Sequence, residues 1–116
     1  MKLKRAERLT GYEVRRVKAP SGKVAFGAFR DDQLMADATH KIDELALDLL
    51  VRKVYQIHSA EALHQHGWRC ARCHGSKRLQ IHHRRYRSHG GTHQVDNLEP
   101  LCWDCHKVVH RLERSK

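Results

Sequence analysis

Leu101-Cys102-Trp103-Asp104-Cys105-His106-Lys107-Val108-Val109-His110 brings two cysteines and two histidines into one short run. Two residues between Cys102 and Cys105 let both sulfurs of a tight turn face one tetrahedral ion. An equal pair lies upstream in Cys70-Ala71-Arg72-Cys73. Four soft thiolates favour zinc, and a shell they saturate leaves no position for a substrate, so the spacing predicts a structural Zn2+ site. A region of some 50 residues buries little apolar surface and gains from such a staple. Structural zinc supplies on the order of 10–16 kcal/mol in small peptides. That equals or exceeds the roughly 5–15 kcal/mol that holds a typical domain together. A thiol redox pair is the weaker reading, because two matched pairs in a basic chain fit a metal better.

Working outward, a helix is expected after Cys102. Its i, i+4 spacing puts His106 and His110 on one face, where they can share a cation. Cys105 and His106 are neighbours, so their side chains diverge by about 100° around that helix. One helix can therefore serve the zinc at its start and a second metal on another face. Upstream, Leu79-Gln80-Ile81-His82-His83 alternates as a strand does. Adjacent side chains of a strand point to opposite faces, which suits His82 and His83 to two different roles. Arg84 to His93 reads as a polar loop turning at Gly90-Gly91, and Val95-Asp96-Asn97-Leu98 leads back to the second cysteine pair.

The 116 residues suffice for one compact domain or a small one with an extension. With 6% aromatic residues and a mean hydropathy of −0.75, a large apolar core is not expected. No run of about 18 apolar residues exists, which excludes a membrane-spanning helix and predicts no membrane partner. The start, Met1-Lys2-Leu3-Lys4-Arg5-Ala6-Glu7-Arg8, has no apolar segment, so no secretory signal and a reducing, cytoplasmic setting are expected. The net charge of +10 points to a polyanion, nucleic acid first. That charge is uneven: residues 1–66 hold 12 basic and 9 acidic side chains, whereas residues 67–116 hold 11 and 4.

The first part reads as strand, turn, strand, helix, helix. Tyr12 to Val17 and Lys23 to Phe29 flank the turn signal Pro20-Ser21-Gly22. A helix is expected from about Asp32 to Tyr55, on the stripe Leu34, Ala38, Ile42, Leu45 and Leu49, widened by Met35, Ala46 and Leu50. A second, opened by Ser59 as N-cap, is expected to end at Gly67. These elements show no catalytic pattern and read as a scaffold; a DNA-contacting arm built on Arg15, Arg16, Lys18 and Lys23 is the alternative. The predicted division is an N-terminal extension over 1–58, a β-hairpin with an amphipathic helix, and a second domain over 59–116.

His82-His83, then Asn97-Leu98, then Leu101 to His106, then His110 closely resemble the HNH endonucleases, which have a ββα-metal core. The resemblance spans about Gly67 to Arg111. It implies an α+β fold: a small, treble-clef-like HNH nuclease core stapled by the four-cysteine zinc, with the N-terminal hairpin and helix as an extension. It implies His83 as general base and His82, His106 and His110 as ligands of a catalytic divalent metal. His82 takes a place many members fill with Asp. Asn97 corresponds to the central N of the motif, which in some members braces the loop and base and in others touches the metal. Mg2+ or Mn2+ are the expected activators, while three imidazoles also accept Ni2+ or Zn2+. The implied reaction is endonuclease cleavage of DNA, nicking included, to a 5′-phosphate and a 3′-hydroxyl. Members serve restriction, phage packaging, homing and bacterial warfare, so a protein partner in a phage or restriction system is among the expectations.

Arg84, Arg85 and Arg87 form a charge run that elsewhere is a solvated face, and beside such a site reads as phosphate contact. His89 and His93 read as solvated loop residues, and His40, His58, His64 and His66 as surface or helix-end residues. Trp103 reads as packing beside the zinc. A zinc-stapled nucleic-acid-binding module without catalysis is the competing class. It needs Cys70, Cys73, Cys102 and Cys105 but has no use for His82, His83, Asn97, His106 and His110.

Overall fold

A computed structural model describes residues 1–114, so the last two residues of the segment expected over 59–116 lie outside it. The chain forms two compact units: the first holds Met1–Ile57 and Thr92–Gln94, and the second runs from His58 to Gly91 and resumes at Val95. The expected boundary after residue 58 falls inside the helix Asp43–Gln65. No helix among the described residues is long and apolar enough to cross a membrane.

In the first unit, α1 (Leu3–Thr10) precedes a three-stranded antiparallel sheet of β1 (Glu13–Val17), β2 (Val24–Arg30) and β3 (Gln33–His40) in that order. Helix α2 (Asp43–Gln65) follows. The expected hairpin is β1–β2, with Val14 opposite Ala28 and Arg16 opposite Phe26. Two elements differ from expectation. No element was expected over Leu3–Thr10, yet Ala6, Leu9 and Thr10 bury one face there, and Gly11, at φ 77°, caps the end by donating its N–H to the Glu7 carbonyl at 2.9 Å. The helix expected from Asp32 begins only at Asp43, and residues 33–40 form a third strand instead. The cause is local: Asp31 and Asp32 both take positive φ, 50° and 62°, which suits a two-residue hairpin turn whose twist matches the flanking strands.

The expected stripe describes the core only in part, through Ala38, Ala46 and Leu50. Leu34, Ile42 and Leu45 are exposed, whereas Ala38 is buried because it lies opposite Phe26 across the sheet. The buried face of α2 is Ala46, Leu47, Leu50, Val51 and Val54, which packs with Leu9, Val14, Phe26 and Ala28. The second helix expected at Ser59 is a continuation of α2. Ser59 is no cap, and its hydroxyl is buried without a hydrogen-bond partner. Gly67 does end the helix, at φ 64°, with Gly67 N–H bonded to the His64 carbonyl and Trp68 N–H to that of Leu63. His58, expected at the surface, is buried in α2, and His93, expected in solvent, is buried against Tyr55 with ring centroids 4.9 Å apart.

The second unit is a ββα unit. Strand β4 (Leu79–His83) pairs antiparallel with β5 (Leu98–Cys102), and α3 (Trp103–Arg114) follows at once. The register sets His82 opposite Glu99 and Leu79 opposite Cys102. Its apolar centre is small: Cys70, Leu101 and Val109, with Ala71, Leu79, Cys102 and Cys105 packed around them. A small α+β protein with a ββα core beside four cysteines is the fold class the sequence implied.

Candidate active site

The four cysteines are free thiols that converge from three places: the turn after Arg69, the last residue of β5 and the first turn of α3. Their sulfurs all lie within 4.8 Å of one another. Four sulfurs at about 2.3 Å from a tetrahedral ion stand about 3.8 Å apart. Cys73 and Cys102 are already at 3.6 Å. Backbone N–H groups point at the sulfurs, Arg72 to Cys70, Gly75 to Cys73 and Cys105 to Cys102, each at 3.4 Å. Burial pushes the Cys70 thiol up, but backbone hydrogen bonds from Cys73, Cys102 and Arg72 outweigh it and bring the pKa down to about 6. Its hydrogen bond with Cys102, burial and the remaining thiols push Cys105 up to about 12. Thiols that resist collecting negative charge together are what a dication reconciles. The cluster is compatible with a structural zinc.

A second cluster brings His82 from β4 together with His106 and His110 from α3, their ring nitrogens within 4.8 Å of one another. His82 is buried and the other two are half-buried. The His106 and His110 rings stand 4.3 Å apart and nearly perpendicular, with their Nε2 atoms at 3.0 Å. Two nitrogens at about 2.0–2.1 Å from one ion lie roughly 2.9–3.4 Å apart for angles from octahedral to tetrahedral, so this spacing fits a shared metal. The His82 ring sits edge-on at 5.4 Å from His106 and 5.9 Å from His110.

His83 follows His82 on β4, opposite Leu98, and is not part of this cluster. The alternation of the strand separates the two histidines, as the sequence predicts. Burial first, then the Arg87 guanidinium and His82, holds the His83 pKa below the usual imidazole value, so its neutral form dominates at neutral pH. Asn97 holds the loop after β4. Its Oδ1 accepts the Arg85 N–H at 2.8 Å and its Nδ2 donates to the Arg85 carbonyl at 3.1 Å. It thus clamps both sides of one residue in the loop after β4.

The three arginines differ. Arg84 pairs with Glu99 at 3.4 Å, and Arg85 donates to the His89 carbonyl at 2.5 Å. Arg87 is exposed in the short 3₁₀ turn Arg87–His89. Arg15 and Arg16, the alternative DNA arm, pair with Asp32 and Asp43. Trp103, expected to pack, is 39% exposed with the Lys107 ammonium 5.5 Å from its ring. Tyr86 escaped the sequence reading, and Gly91 was read only as a turn residue. Tyr86 bonds His110 through its hydroxyl at 3.0 Å. Gly91 occupies a site where a Cβ would overlap the Arg85 carbonyl. The only sequence signal for Tyr86 is a lone aromatic within a basic loop.

No curated protein and no solved structure matches the chain. Over residues 69–112, the segment that holds both cysteine pairs, Asn97 and all three clustered histidines, the chain matches the family model of the HNH endonucleases.

Proposed function

We propose that the chain is a metal-dependent DNA endonuclease that hydrolyses phosphodiester bonds, nicking included, with His83 as general base. The observation that carries this reading is the second cluster. A zinc-stapled binding module has no use for His82, His106 and His110 converging on one point beside a four-thiol site. The nuclease domain would occupy 59–116, with residues 1–58 as an extension. His82, His106 and His110 would hold Mg2+, Mn2+, Ni2+ or Zn2+, and the bound ion would stabilise negative charge on the scissile phosphate and the leaving 3′ oxygen. Neutral His83 takes a proton from water, and the oxygen so formed attacks phosphorus. The bond to the 3′ oxygen breaks and that oxygen takes a proton from solvent, giving a 5′-phosphate and a 3′-hydroxyl. Asn97 keeps the loop after β4 in place by its clamp on Arg85.

Supercoiled plasmid assayed with each of the four ions and with EDTA tests this reading. Nicking is expected with a divalent ion, to vanish in EDTA and to return when the ion is restored. Because a chelator can also strip the structural zinc, melting must be followed in parallel. Loss of cleavage with unchanged melting assigns the effect to the histidines, and cleavage that persists in EDTA without bound metal contradicts the proposal.

Arg84, Arg85 and Arg87 would contact DNA phosphates. Replacing all three with Ala is expected to weaken binding most at low salt, flattening the slope of log K against log salt by about 0.9 for each phosphate no longer neutralised. Arg87, without an ion pair among the described residues, is expected to contribute most. An unchanged slope in a filter-binding titration would remove these residues from the interface.

A further inference from the structure

Tyr86 lies in the run Arg84-Arg85-Tyr86-Arg87-Ser88-His89, where neither apolar packing nor strand pattern calls for an aromatic ring. Its ring stacks on His110 at 5.6 Å and 24° and meets His82 edge-on at 5.9 Å. Its hydroxyl lies 3.0 Å from His110 Nδ1, while His110 Nε2 lies 3.0 Å from His106 Nε2. His110 is thus engaged at both ring nitrogens, one inside the cluster and one on the phenol. A neutral imidazole carries one proton, and only its unprotonated nitrogen can bind a cation. With Nε2 directed into the cluster, the proton must sit on Nδ1 and face Tyr86.

We infer that Tyr86 is a positioning residue: its phenolic oxygen accepts the Nδ1–H of His110, holding the tautomer and ring orientation that present Nε2 to the metal. This rests on the reading that His82, His106 and His110 bind a divalent ion. The backbone is arranged to keep Tyr86 there. Its carbonyl accepts the N–H groups of His89 at 2.9 Å and Gly91 at 2.8 Å. The preceding residue is clamped on both sides by Asn97. Gly90 turns the chain at φ 83°, and Gly91 permits a close approach to Arg85 that no larger residue allows. Asn97 and Gly91 therefore act on the metal site through Tyr86. Hydrogen-bond partners of ligating histidines are worth roughly 10- to 100-fold in metal affinity when removed.

Calorimetric titration of the zinc-loaded protein with Ni2+ separates the outcomes, comparing wild type, Tyr86→Phe and His110→Ala. Phe keeps the stacked ring and removes only the acceptor oxygen. Tyr86→Phe is expected to bind Ni2+ about 10-fold more weakly, at the lower end of the range for such partners, with an unchanged melting temperature. Wild-type affinity in Tyr86→Phe overturns the inference and leaves Tyr86 a packing residue. If wild type takes up no Ni2+ and matches His110→Ala, the metal reading itself has failed and this inference with it. A second measurement does not depend on the variant. In wild type with Zn2+ in the histidine site, the His110 Nδ1–H resonance is expected to be protected from solvent exchange, and exchange at the rate of an exposed imidazole overturns the inference.

Discussion

Cys70→Ser or Cys105→Ser is expected to unfold the second unit and release its zinc while leaving the first unit's sheet and helices in place. The reason is the composition of the second unit's centre. It comprises Cys70, Leu101 and Val109 with Ala71, Leu79, Cys102 and Cys105 around them, so three of these seven residues belong to the proposed zinc site. Removing one sulfur weakens the ion's hold and the packing at the same point. The ion supplies on the order of 10–16 kcal/mol in small zinc peptides. A centre of this size has no comparable source of stability to replace it. The first unit differs: it buries Ala6, Leu9, Val14, Phe26, Ala28, Ala38, Ala46, Leu47, Leu50, Val51 and Val54, none of them a ligand. Thermal melting followed by circular dichroism, with zinc measured on the same sample, checks this. Unchanged melting and zinc content in either variant would falsify the structural-zinc reading.

The same contrast explains what was legible in the sequence. In the second unit, geometry follows from ligand spacing. Cys-x-x-Cys pairs and an i, i+4 pair of histidines impose their own local structure, so β4 and α3 stand where the pattern predicts and the four cysteines come together as their spacing predicts. The first unit has no such constraint, and its apolar residues suit two periods at once. Leu34 and Ala38 are four apart as on a helix, yet Ala38 is buried opposite Phe26 while Leu34 stays exposed. Hairpin pairing with β2 decided between the two periods, and apolar spacing alone does not report such pairing. Asp31-Asp32 was the available signal, a pair tolerant of positive φ between two short runs. His93 illustrates the same limit, since it sits in a polar run and is buried by Tyr55, a residue far away in sequence. Tyr86 was illegible for a third reason. Its role depends on a loop path set by backbone hydrogen bonds and by Gly91, neither of which a residue count can show.

His83→Ala is expected to lower the plasmid-nicking rate by about 10²- to 10⁴-fold, the contribution of a positioned general base. Melting temperature, metal content and DNA affinity should stay near wild type. The expectation rests on a separation the strand enforces. His82 faces His106 and His110, while His83, one residue on, lies outside that cluster. Removing His83 thus deletes no residue of either proposed metal site. His83 is half-buried, so truncation there costs little packing. A proton acceptor must be neutral to act, and burial together with the Arg87 and His82 charges keeps it so. His82→Ala makes the contrasting control, expected to lose cleavage together with the second metal. If His83→Ala nicked supercoiled plasmid at nearly the wild-type rate, the base would have to be sought elsewhere. If it lost its divalent ion instead, His83 would be a ligand, and the strand's alternation would have been misread as a division of roles.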